Sequence, residues 1–210
     1  MIEERPPSEG VGLNEPCSVL GIKQITATGE MLKEFHIDHI LCSPLKCAQQ
    51  SAKIIAKMNT SGITEIEIAA SLRDRLGSSE SSSASVEIVD QDSTLVQNEP
   101  MSSVWNRAGA GWASALSKIQ NDNGTVVLVS HATITSAMLC RCLALSSEFV
   151  PRINLNHGSV SIVNFPDGPL GGPGIIETCN YTKHLEEGWS VPVYQSGVDS
   201  LEASTPLEGF

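Results

Sequence analysis

The stretch Val126-Val127-Leu128-Val129-Ser130-His131-Ala132-Thr133-Ile134-Thr135-Ser136-Ala137 decides how this chain of 210 residues is read. Four consecutive apolar residues, mostly β-branched, suit a strand buried on both faces of a parallel sheet. The small-residue pattern from Ala132 onward starts a helix at once, so His131 stands where a strand hands over to a helix. Ligands of open α/β sheets sit outside the carboxyl ends of such strands. The free N–H groups and positive dipole end of a helix favour an anion there. His131 is therefore placed to meet a phosphate, with Ala132 and Thr133 supplying the helix start. Position alone also fits a hydrogen-bonded structural histidine.

Working outward, Pro16 suits the first turn of a helix that carries Leu20, Ile25, Leu32 and Phe35. Ile37 to Cys42 reads as a short strand closed by Ser43-Pro44, and Leu45, Ala48, Ala52 and Ile55 mark one face of the next helix. Glu65 to Ala69 alternates as a half-buried strand does. From Ser71 to Ser102 the pattern gives way to acidic, serine-rich sequence centred on Ser78-Ser79-Glu80-Ser81-Ser82-Ser83, a loop long enough to be a lid, an insertion or disorder. Trp105, Ala108, Trp112, Leu116 and Ile119 then define an amphipathic helix ending near Asn123-Gly124, with both tryptophans read as core. Ser159 to Phe165 alternates as a strand, a Pro/Gly-rich connection follows, and Ile175 to Asn180 returns as its partner.

These elements predict one α/β domain over residues 13–185: a doubly wound, mostly parallel sheet flanked by helices, with an antiparallel edge. Residues 71–102 form its variable insertion, residues 1–12 a flexible leader and residues 186–210 a mobile tail.

The chain carries 13 Lys and Arg against 24 Asp and Glu, a net charge of −11, which argues against nucleic acid because phosphate backbones need clustered cations. No apolar run is long enough to cross a membrane. The six cysteines lack zinc-site spacing and are expected as reduced thiols, with Cys42 and Cys140 buried as small hydrophobes. His36-x-x-His39 has no partners for a metal, and neither metal nor cofactor is expected. His36, His39, His157 and His184 are read as surface or packing residues.

Three segments resemble the histidine phosphatase superfamily, also called phosphoglycerate-mutase-like. Leu20-Gly21-Ile22-Lys23-Gln24 is similar to its leader helix. Cys42-Ser43-Pro44-Leu45-Lys46-Cys47-Ala48-Gln49-Gln50-Ser51-Ala52 is similar to its Ser-Pro-Leu-x-Arg-Ala-x-Gln-Thr-Ala segment, and Leu128-Val129-Ser130-His131-Ala132 to its second-histidine strand. With Asn156-His157-Gly158-Ser159-Val160-Ser161 following, the likeness spans residues 13–165. Phe165-Pro166-Asp167-Gly168-Pro169, Asn180-Tyr181-Thr182 and Trp189-Ser190-Val191-Pro192 resemble the C-terminal half of plant 2-carboxy-D-arabinitol-1-phosphatase-like proteins.

The resemblance implies phosphoryl transfer from a small phosphorylated sugar or sugar acid to a nucleophilic histidine in an Arg-His-Gly motif. Arginines and a second histidine cradle the phosphate, and a carboxylic acid protonates the leaving oxygen. The second histidine maps onto His131, Ser43 and Lys46 fall in the matching Ser-Pro-Leu segment, and Cys47 stands where the family has an arginine. Arg73 or Asp74 falls where the family has a Leu-Arg-Glu segment and can approach the pocket; a solvated turn over 73–75 is the alternative. Arg107 either supports the pocket, as in some relatives, or faces solvent.

No Arg-His-Gly occurs in the 210 residues, so the catalytic set is expected to be incomplete and the sheet to lack its first central strand. The domain then either acts as a phosphomonoesterase completed from elsewhere, or is a catalytically inactive partner that binds a phosphorylated ligand or serves structurally. Pairing with an N-terminal domain or a second subunit, or poor solubility alone, follows from the absent strand. The resemblance implies the chloroplast stroma; a chain starting at Met1 would be cytosolic.

Overall fold

A computed structural model describes residues 14–63, 65–76, 99–119, 124–168, 174–185 and 192–193. The expected leader 1–12, the centre of the serine-rich segment and most of the tail lie outside the described residues.

Helix α1 (Val19–Met31) begins after Ser18, whose Oγ accepts from the Gly21 N–H at 3.1 Å. Pro16 therefore precedes the helix instead of opening it, because the serine supplies the cap. Ile25 and Leu32 of the expected stripe are buried, whereas Leu20 and Phe35 are exposed. Strand β1 (His39–Cys42) leads into α2 (Lys46–Met58), and β2 (Ile66–Ile68) follows. Helix α3 (Met101–Lys118) starts behind Pro100, and β3 (Val126–Val129) runs to the corner before α4 (Ala132–Cys142).

The three strands form a parallel sheet in the order β2-β1-β3, with Ile40 opposite both Ile66 and Val127. Successive side chains of a strand point to opposite faces, and the core divides accordingly. Ile40 and Cys42 join Ile25, Leu32, Ala52 and Ile55 on the α1–α2 side. Leu41 joins Val104, Ala108, Ile134 and Met138 on the α3–α4 side. Helices on both faces of a parallel sheet make the domain doubly wound.

Beyond α4, a 3-10 turn over Ser147–Arg152 leads to β4 (Leu155–Asn156), β5 (Val160–Asn164) and β6 (Ile175–Tyr181). The last two pair antiparallel, with Asn164 opposite Ile175. A short β7 (Pro192–Val193) within the expected tail pairs with β4. The two ends of the serine-rich segment are packed: Leu72 is fully buried, in a 3-10 turn over Ala70–Leu72, and Glu99 is buried just before α3. Cys42 and Cys140 are fully buried and unpaired. No described helix is long and apolar enough to cross a membrane.

Candidate functional site

The parallel register brings the carboxyl ends of β1 and β3 side by side. Ser43, directly after β1, is fully buried and donates its N–H to the Val129 carbonyl at 2.9 Å. His131 is the N-cap residue of α4, in an extended conformation with φ −122° and ψ 157°. Its Nε2 lies 2.8 Å from Ser43 Oγ, which also accepts the Leu45 N–H at 3.3 Å. The imidazole is thereby aimed across the corner, with the first N–H groups of α4 beside it.

The third side of the site is the 73–75 segment. Asp74 Oδ2 stands 3.9 Å from His131 Nδ1, and Asp74 Oδ1 accepts the Arg75 N–H at 2.8 Å. What holds this segment is Arg107 of α3. Its Nη1 donates to the carbonyls of Arg73 at 2.7 Å and Ser71 at 3.2 Å, while Nε and Nη2 each reach a different Glu99 carboxylate oxygen at 2.7 Å. Ser103 Oγ donates to the same carboxylate at 2.7 Å. A planar fork with this many donors suits arginine and no other side chain. Ser130 Oγ donates to the Leu72 carbonyl at 2.8 Å and ties the segment to the end of β3.

Burial pushes the His131 pKa below the ordinary 6.5; Asp74 pulls against it, and the positive charges of Arg107 and His157 add to the lowering. Glu99 loses solvation on burial, but its hydrogen bonds from Arg107 and Ser103 win, and its carboxyl titrates below 4.5. Burial raises the Cys47 thiol, so at neutral pH it is an uncharged group.

A continuous cavity of about 1660 Å³ opens here, with Cys47, Asp74, Arg75, His131, Thr133 and His157 among its lining residues. Of the residues singled out in the sequence, Ser43, Asp74, His131, Ala132 and Thr133 come together at this corner. Lys46 does not join them: it is exposed on α2, and its backbone N–H donates to Asn14 Oδ1 at 3.0 Å. Arg73 is half-buried outside the cavity lining and contributes its carbonyl to Arg107. Of the two readings of Arg107, support for the pocket is the one the hydrogen bonds favour. Glu99 escaped sequence reading, although a lone acid directly before the Pro100 helix start, eight residues from Arg107, is the signal that pairs them. Among the described residues no group of His, Cys, Asp and Glu is arranged to hold a metal ion.

The model of the histidine phosphatase superfamily, branch 1, matches residues 10–170. A 2-carboxy-D-arabinitol-1-phosphatase of Triticum aestivum is 30% identical over 203 residues, covering 89% of this chain and 40% of the wheat protein. The chain thus spans well under half the length of that relative. Among solved structures, a phosphoserine phosphatase of Entamoeba histolytica in complex with phosphoserine superposes with a TM-score of 0.62 at 19% identity, covering 82% of this chain and 87% of that one. A mycobacterial glucosyl-3-phosphoglycerate phosphatase gives 0.63 at 18% identity, covering 80% and 88%. At these identities the structures attest the fold alone.

Proposed function

Since the chain belongs to the histidine phosphatase superfamily, branch 1, we propose that the corner built by Ser43, Asp74 and His131 holds the phosphoryl group of a small phosphorylated sugar or sugar acid. The observation that carries this is the 2.8 Å contact between His131 Nε2 and Ser43 Oγ at the mouth of an α-helix N-terminus, with Asp74 behind the ring. A phosphate dianion in the cavity draws a proton onto His131. The imidazolium attracts the dianion by its charge while Nε2 keeps its contact with Ser43 Oγ, Asp74 balances that charge from the Nδ1 side, and the N–H groups of Ala132 and Thr133 complete the anion site. The wheat relative supports a sugar-acid phosphate as the ligand. The chloroplast stroma belongs to the same proposal and rests on likeness to a plant protein.

Turnover needs a nucleophile and a clamp for the equatorial oxygens. The 210 residues contain no Arg-His-Gly, and the neutral Cys47 stands in the cavity where an arginine is expected. That pair of observations favours a second reading, a domain that binds phosphorylated ligands without hydrolysing them. Calorimetric titration with inorganic phosphate, run beside a phosphate-release assay on a panel of sugar phosphates, tests both. Phosphate binding weakened at least about tenfold by His131→Ala is expected. Release of phosphate that His131→Ala abolishes supports the hydrolase; binding without release supports the second reading; no binding overturns both.

A further inference from the structure

Cys17 and Cys47, 30 residues apart along the chain, meet where the segment before α1 lies on the first turn of α2. Two side chains hold that segment in place. Asn14 Oδ1 accepts the Lys46 N–H at 3.0 Å, and Gln50 Oε1 accepts the Cys17 N–H at 2.9 Å. The Cys17 thiol is thereby laid against α2: its Sγ donates to the Cys47 carbonyl at 3.3 Å and stands 3.7 Å from Ser51 Oγ. Ser51 Oγ donates to the same carbonyl at 2.9 Å, so the thiol shares an acceptor that is already occupied. Both cysteines are half-buried and unpaired.

A thiol is a weak hydrogen-bond donor, so its contact with a shared carbonyl adds little to the fold. What the arrangement supplies is proximity. A disulfide needs Cα atoms within roughly 4.4–6.8 Å and Cβ atoms that face each other. Here the sulfur of one residue already touches the backbone of the other, and rotation about the Cα–Cβ bonds is the motion left to bring the sulfurs together. The other described thiols are placed differently. Cys42 and Cys140 are fully buried, Cys142 Sγ donates to the Gly174 carbonyl at 3.3 Å, and Cys179 is exposed on β6.

We propose that Cys17 and Cys47 form a thiol–disulfide exchange site, at which a small organic disulfide, RSSR, converts the two thiols into one intrachain bond that fastens the segment before α1 onto α2. The Cys17 thiolate attacks one sulfur of RSSR, forming a mixed disulfide and expelling one thiolate, RS⁻. The Cys47 thiolate then attacks the Cys17 sulfur, the intrachain S–S bond forms and a second RS⁻ leaves. The two cysteine protons end on the two leaving thiolates: two protein thiols are oxidised, and RSSR is reduced to two RSH. The order follows from burial, which holds the Cys47 thiol protonated, with the charge of a Cys17 thiolate adding to the effect. Capping Cys17 in the mixed disulfide removes that charge and eases the second step. The inference rests on the two thiols and stands apart from the phosphoryl reading of His131.

The test equilibrates the whole chain with hydroxyethyl disulfide and then with dithiothreitol. Thiols are counted by alkylation in denaturant, and linked peptides are identified by mass spectrometry. The reduced chain carries six thiols; the oxidised monomer is expected to carry two fewer, with Cys17 and Cys47 in one linked pair. Cys17→Ser and Cys47→Ser should each abolish the intrachain bond, and Cys179→Ser should leave it intact. A bond spanning 30 residues restrains the unfolded chain, so oxidation should raise the thermal unfolding midpoint by about 5–15 °C. Dithiothreitol should reverse the rise, and Cys17→Ser should lack it. Six thiols surviving oxidation, a linked pair other than Cys17 with Cys47, a mixed disulfide that persists on Cys17 in the wild type, or a bond that leaves the midpoint unmoved overturns the proposal.

Discussion

Arg107 and Glu99 meet through two parallel 2.7 Å hydrogen bonds, with Arg107 19% and Glu99 only 5% exposed, and this pair sets where Asp74 stands relative to His131. The rest of the guanidinium reaches the carbonyls of Ser71 and Arg73, so the 71–74 segment is positioned from α3. Arg107→Ala leaves the Glu99 charge buried without its cation, with the hydroxyl of Ser103 as its remaining short contact. Such losses cost about 3–5 kcal/mol, to be read from urea unfolding of the variant. Loss of under about 1 kcal/mol contradicts the role assigned to the pair.

The same pair fixes an acid limit. The folded Glu99 pKa is depressed below 4.5, so the unfolded chain binds the proton more readily. The stabilisation is complete above 4.5 and is lost as pH falls through the folded value. Glu99→Gln is expected to flatten this limb of the stability-versus-pH curve measured by denaturant unfolding; an unchanged limb assigns it to other carboxylates.

Leu72 is fully buried two residues before Asp74 and packs with Leu41, Val104 and Ile134. Leu72→Ala removes that anchor and is expected to cost about 2–5 kcal/mol. Thermal unfolding measures the loss, and a melting temperature unchanged from wild type places the side chain outside the core.

Cys47 lines the cavity as a neutral thiol. Cys47→Arg adds a permanent charge with forked donors at that wall. A charge-assisted hydrogen bond contributes about 1.5–3 kcal/mol, so phosphate affinity is expected to rise about ten- to a hundredfold. Calorimetry in dilute salt checks it, and an unchanged or weakened affinity rejects Cys47 as part of the phosphate wall.

The strand-to-helix corner at His131 was legible because its two periodicities abut within a few residues: Val126–Val129 is a strand and Ala132–Cys142 a helix. The partnership of Ser43 with His131 follows from the parallel pairing of their strands, which length and polarity alone do not specify. Sequence periodicity missed Leu72 as a packed residue because a 3-10 turn carries no helical or strand period. The segment it anchors is held by Arg107, 33 residues beyond Asp74 along the chain. Leu20 and Phe35 share the apolar spacing of Ile25 and Leu32, yet both are exposed. Both line the cavity, as do the half-buried residues of β3.

His131 is proposed as the imidazole that meets the anion, and an NMR titration of its ring protons with and without inorganic phosphate tests that most directly. Without phosphate the pKa should lie below 6.5, so the histidine's contribution to stability is intact above 6.5 and falls as pH drops towards the folded value. Saturating phosphate should move the pKa upward, because the dianion favours the imidazolium. A titration that phosphate leaves unmoved contradicts the account.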